Sequence, residues 1–176
     1  MSKPQNGLGK WLVGSCGVFY VSAELSRRGW TAMPTIRNTR GIDIIVSKKD
    51  FVVNIQVKTN GYGKVKYPMS KSNEEWSDNL YYVFVTLKGK NDRPDFYIVP
   101  SKIVSDYISK THKEWIPLDP ERNLGKKHAE ETKEERQERR EKSPMRQFPN
   151  RFGEKVFPSF KIEDYKDNWK ILEAQE

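Results

Sequence analysis

Gly41-Ile42-Asp43-Ile44-Ile45-Val46, then Ser47-Lys48-Lys49-Asp50, then Phe51-Val52-Val53-Asn54-Ile55-Gln56-Val57-Lys58-Thr59: this stretch decides how the chain is read. Ile42 to Val46 is apolar except for Asp43, and Phe51 to Thr59 is rich in β-formers. The four polar residues between them predict a turn, and so an antiparallel strand pair. Side-chain alternation puts Gln56 and Lys58 on one face of the second strand and Ile55 and Val57 on the other. Asp43 can face Gln56 and Lys58 across the pair. A lone carboxylate inside an apolar strand is costly to bury, so it needs a partner or a metal. An acid, an amide oxygen and an amine thereby converge on one spot. A structural ion pair between Asp43 and Lys58 is the competing account of the same two residues.

Outward from this pair, Gly14 to Arg28 predicts a helix ending at Gly29, with Val18, Val21, Ser22 and Leu25 on one face. Trp30 to Ile36 reads as extended, with Pro34 marking an edge strand. Residues Arg37, Asn38, Thr39, Arg40 and Gly41 read as a turn at the mouth of the site, and Arg37, Asn38 and Arg40 are candidate phosphate contacts. Lys64 and Lys66 could track a nucleic-acid backbone, and Lys64 to Tyr67 could form a short strand. Pro68 to Asn79 reads as a polar loop holding Trp76. Leu80 to Leu87 predicts a strong strand, hairpinned to Asp95–Val99. Ser101 reads as the N-cap of a helix whose apolar face is Ile103, Val104, Tyr107 and Ile108. The core is thus helix, four or five strands, helix: a mixed α/β domain over residues 1–118. Residues 119–142 read as a charged helical or disordered arm, because 126–142 is apolar only at Ala129. Residues 143–176 read as an extension, irregular at first, that docks back through Tyr165, Trp169 and Leu172.

Composition narrows the function. Of 176 residues, 35% are hydrophobic and 32% charged, enough for one core with part of the chain outside it. No apolar run approaches the ~18 residues of a membrane span, and the first ten residues lack a secretory apolar region. One cysteine, Cys16, excludes an intramolecular disulfide framework and fits a reducing cytoplasm. One cysteine and two histidines exclude the usual four-ligand structural zinc site. The formal charge of +8 is concentrated: residues 1–66 hold 11 Lys and Arg against three acids, and the remainder is balanced. Clustered positive charge suits a polyanion, since each neutralised phosphate releases a counterion. A basic, merely solvated surface is the plainer reading of the same charge.

The segments Gly17 to Trp30 (GVFYVSAELSRRGW), Gly41 to Val46 (GIDIIV) and Ile55 to Thr59 (IQVKT) together resemble the PD-(D/E)XK nuclease superfamily, in a Q-x-K variant. The resemblance covers about residues 14–60 and implies a restriction endonuclease-like α-β-β-β-α-β core with a mixed central sheet. It implies a divalent-metal-dependent endonuclease acting on DNA, with Mg²⁺, or Mn²⁺ in its place, held by Asp43, Gln56 and the backbone carbonyl of Val57. Lys58 would position the attacking water and offset charge on the phosphate. Where such nucleases often carry a helix glutamate this chain has Val18, and Glu24 on the same helix is the acid that could stand in. A homodimer is the assembly the resemblance suggests. Two alternatives stay open: a nuclease-fold protein that binds nucleic acid without cutting it, and a protein-interaction module.

Overall fold

The computed structural model describes residues 9–36, 41–61, 66–117, 131–149 and 156–173. Helix α1 runs Lys10–Arg27. It starts four residues before the expected Gly14, because Lys10 to Val13 continue the turn without a side-chain cap. It ends as predicted at Gly29, whose φ of +80° is a conformation glycine adopts without a Cβ clash. Strands β1 (Thr31–Pro34), β2 (Ile44–Lys48) and β3 (Phe51–Asn60) form an antiparallel meander. A crossover follows, carrying β4 (Tyr67–Ser70) and a 3-10 turn (Lys71–Glu74). It delivers β5 (Leu80–Thr86) parallel to β3, and β6 (Asp95–Pro100) returns antiparallel to β5. The main sheet therefore runs β1-β2-β3-β5-β6, mixed as expected.

The order of elements departs from the α-β-β-β-α-β expectation at this crossover. Among the described residues it holds a strand and a 3-10 turn, and helix α2 (Ser101–Trp115) follows β6 instead. The α/β class is met; the narrower core order is not reproduced beyond β3. Ser101 does not cap α2. Pro100 is the N-cap, and the Ser101 hydroxyl donates to Ser77 O at 2.8 Å.

Both faces of the sheet are covered. Ile44, Val46, Val53 and Ile55 pack under Val21 and Leu25 of α1, with Trp169 and Leu172 closing that core. The opposite face carries Tyr82, Phe84, Tyr97 and Val99 against Val104, Tyr107 and Ile108 of α2. Phe148 completes this second core, stacked on Phe84 with ring centroids 4.6 Å apart. It belongs to β7 (Met145–Phe148), which pairs with β4 where the sequence reads as irregular.

Helix α3 (Lys133–Lys142) forms within the charged arm and opens on a Thr132/Glu135 capping box. The helical alternative is the one observed over 133–142, and the helix is packed, not free. Arg136 and Arg140 are buried, and Arg140 lies over the Trp115 ring at 5.1 Å while donating to Ile116 O at 3.2 Å. Arginine covers hydrocarbon with its stem while its head keeps polar partners, which a tally of apolar residues does not register. Residues 118–130 lie outside the described residues. Among the described residues no helix is long and apolar enough to cross a membrane.

Candidate active site

The β2–β3 ladder ends by pairing Ile44 with Ile55. Asp43 N–H still donates to Ile55 O at 2.8 Å. The next N–H on that edge of β3, Val57, donates instead to Asp43 Oδ2 at 2.7 Å. A carboxylate thus replaces a backbone carbonyl as acceptor, and β2 begins at Ile44 rather than Ile42. Alternation sends Ile44 and Val46 into the α1 core and Asp43 to the opposite face, where Gln56 and Lys58 lie.

The two charged groups are both half-buried. Burial pushes the Asp43 carboxyl above the usual range, while the Val57 N–H and the Lys58 charge favour its ionised form. Burial pushes the Lys58 amine below the usual lysine range, and the Asp43 charge opposes this. Among the described residues Lys58 forms no ion pair. Each charge therefore supports the other through the field and not through contact.

Gln56 Oε1 accepts from Asn73 Nδ2 at 3.2 Å, and the same amide nitrogen donates to the Tyr82 hydroxyl at 3.1 Å. Asn73 Oδ1 accepts from the Ser70 N–H at 2.9 Å and its hydroxyl at 3.0 Å. Asn73 is 5% exposed, so these bonds settle a buried amide and tie the crossover to the sheet. Burial also pushes the Tyr82 phenol up to about 12. The arrangement opens onto a groove of about 400 Å³, lined by Asn54, Gln56 and Lys58 of β3, by Asn73, Glu75 and Trp76 of the crossover, and by Tyr82 of β5. A larger hollow of about 510 Å³ beside α3 is lined by Glu135, Glu138, Arg139 and Lys142. Those charges are spent locally, in the helix cap and in pairs such as Glu138–Lys142. Of the grouping, Gln56 and Lys58 line the smaller groove; Asp43 and Val57 are not among its lining residues.

Asp43 meets Val57 through the backbone N–H hydrogen bond and Lys58 through the field, with Gln56 on the same face of β3 as Lys58. Glu24 does not join them. Its helix packs on the opposite face of the sheet, and its carboxylate is bound by Arg27 at 3.0 Å, by Arg28, and by Arg93 at 3.3 Å. Its pKa is lowered: burial raises it, but hydrogen bonds from Arg28 and Arg93 outweigh that together with their charges. Arg93 also binds Asp167 at 2.9 Å, so Glu24 anchors a structural network. Lys66 is exposed at the start of β4, its carbonyl accepting from Asn60 Nδ2 at 2.6 Å. It does not line the groove. Arg37, Asn38, Arg40 and Lys64 lie outside the described residues.

Asn73, Tyr82, Glu75 and Asn54 escaped the sequence reading. Tyr82 faces Gln56 only through the parallel β3–β5 register, and Asn73 reaches both from a loop that reads as merely polar. The oxygen donors that could reach a cation are the Asp43 carboxylate, the Gln56 amide and the Val57 carbonyl, with Glu75 on the groove wall. All are hard ligands, the kind Mg²⁺ accepts while keeping several waters. Among the described residues no group of three or more His, Cys, Asp or Glu is placed to hold a metal ion. No protein-family model, curated protein or solved structure matches the chain.

Proposed function

We propose that this chain is a Mg²⁺-dependent endodeoxyribonuclease of the PD-(D/E)XK kind, hydrolysing phosphodiester bonds at the β2–β3 groove. The observation that carries the reading is Asp43 bound to the Val57 N–H where β2 leaves β3, with Gln56 and Lys58 on the same face. Bound there by Asp43, Gln56 and the Val57 carbonyl, Mg²⁺ would polarise a phosphoryl oxygen as a Lewis acid. The chain's own residues do the rest. The Val57 N–H orients the Asp43 carboxylate, leaving its other oxygen for a ligand. Asn73 holds the Gln56 oxygen in place. Lys58, its ammonium supported by Asp43, offsets negative charge developing on the phosphate in a partly desolvated site. The excess positive charge of residues 1–66 favours encounter with a polyanion.

A second reading is favoured by one feature: Gln56 brings no charge and Glu24 is engaged elsewhere, so Asp43 is the acid left on this strand pair. Weak metal binding would leave a protein that holds DNA without cutting it. Purified chain incubated with duplex, single-stranded and branched DNA, with Mg²⁺ or Mn²⁺, separates the two. Nuclease action predicts cleavage that falls at least ~100-fold in Asp43→Asn and in Lys58→Ala, with both variants still folded. Cleavage surviving both substitutions would place the chemistry elsewhere. Salt-dependent binding without cleavage would support the second reading.

A further inference from the structure

We infer that the groove beside Lys58 receives one unpaired nucleotide, its base stacked on Trp76, so that the DNA taken is single-stranded or carries an unpaired segment. Its cutting rests on the nuclease reading above; its binding does not.

Trp76 is a large apolar side chain left 46% exposed on a groove wall. Its position is built and not incidental. On one side the Glu74 carbonyl accepts from the Ser105 hydroxyl at 2.5 Å. On the other, Ser77 N–H donates to Ser101 Oγ at 3.1 Å and Ser77 O accepts from the same hydroxyl at 2.8 Å. Three bonds to two serines of α2 thus hold Glu74, two residues before Trp76, and Ser77, directly after it. The indole is presented to solvent by a loop tied to α2 on both sides, which lowers the entropy lost when a planar ligand settles on it.

Besides the indole, the groove offers amides. Asn54 and Gln56 stand two residues apart on one face of β3, and both line it. Side-chain amides carry donors and acceptors that match the edges of unpaired bases. Lys58 follows on the same face, about 7 Å beyond Gln56, where a phosphate attached to the bound base would meet an ammonium. Lys102 places its ammonium over one face of the Trp76 ring, 4.7 Å from the centroid, so the base would stack on the other face of the indole. Glu75 is the one acid among the described lining residues. The volume, about 400 Å³, suits one nucleotide. A base inside a duplex has both π-faces covered by its neighbours and cannot present one to Trp76 without leaving the stack.

The test uses the full chain and a short oligonucleotide carrying 2-aminopurine, titrated in EDTA so that nothing is cut. Binding with a change in 2-aminopurine emission is expected for the single strand. Trp76→Ala should weaken it by roughly 5- to 100-fold, while Trp76→Phe keeps most of the affinity. The same sequence as a blunt duplex should bind more weakly, with little difference between wild type and Trp76→Ala. Equal single-strand affinity in wild type and Trp76→Ala, a duplex bound as tightly as the single strand, or no binding at all would each overturn the proposal. A stacking signal in a protein that never cleaves with Mg²⁺ would keep the proposal and sink the nuclease reading. Duplex cleavage lost in Asp43→Asn but untouched in Trp76→Ala would do the reverse.

Discussion

Lys58 is a half-buried amine on the groove wall with one carboxylate near enough to matter. Burial lowers its pKa from the ordinary lysine value of 10.5. Between that lowered value and 10.5 the unfolded chain binds more protons than the folded one, so stability contributed by this group rises with pH across the window. Asp43 has the opposite displacement, its pKa raised above 3.8. Between 3.8 and that raised value the folded chain holds more protons, so its contribution falls as pH rises. Urea unfolding at pH 8 and pH 10, compared between wild type and Lys58→Met, isolates the lysine. The wild type should gain stability relative to the variant at the higher pH. Parallel behaviour of the two proteins would show that the amine is not shifted by burial. A buried lysine replaced by methionine is also expected to cost little near neutrality, since a flexible apolar chain fills the space without a charge to desolvate. The Asp43/Gln56/Lys58 grouping was legible in the sequence because β-strand alternation and one short turn suffice to produce it. Two partners of Glu24, Arg27 and Arg28, lie one turn along its own helix; the third, Arg93, which ties it into a tertiary network, is distant in sequence.

At the level of elements, α1 approaches β3 closely at Gly17. A Cβ placed on Gly17 would lie 1.8 Å from Thr59 Oγ1 and 2.9 Å from Thr59 Cβ. Gly17→Ala should therefore destabilise the fold by about 1–3 kcal/mol in urea unfolding, overriding the ~1 kcal/mol that alanine gains in a helix. Adding Thr59→Ala should recover part of the loss, since it removes the nearest atom. Among the described residues that buried hydroxyl has no hydrogen-bond partner, so its own removal is cheap. Additive effects of the two substitutions would mean that the elements do not meet there. Helix and strand identities were readable because periodicity is local. The boundaries that moved did so for tertiary reasons. β2 lost its first residues to the Asp43–Val57 bond, and α2 took Pro100 as its cap because Ser101 was recruited by the Trp76 loop.

Across the whole molecule, residues 143–176 are part of the fold on both sides of the sheet. Phe148 and Ile162 complete the core under α2, while Trp169 and Leu172 complete the core under α1. Leu172 is 1% exposed, so Leu172→Ala should cost about 2–5 kcal/mol in the same cooperative transition that unfolds the sheet. A separate early transition for the C-terminal segment would contradict this. Sequence alone determined what local periodicity and local chemistry can determine: an α/β chain, its main strands, a basic first third, and an acid–amide–amine grouping on one strand pair. Only the tertiary structure decided which face of the sheet that grouping occupies, that Glu24 lies on the other, and that Asn73, Trp76 and Tyr82 wall the groove. Those relations depend on the parallel β3–β5 register and on pairing of Tyr67 with Phe148. Such long-range choices are set by which assembly buries the most hydrocarbon with its polar groups satisfied, a sum over the whole chain that no single segment displays.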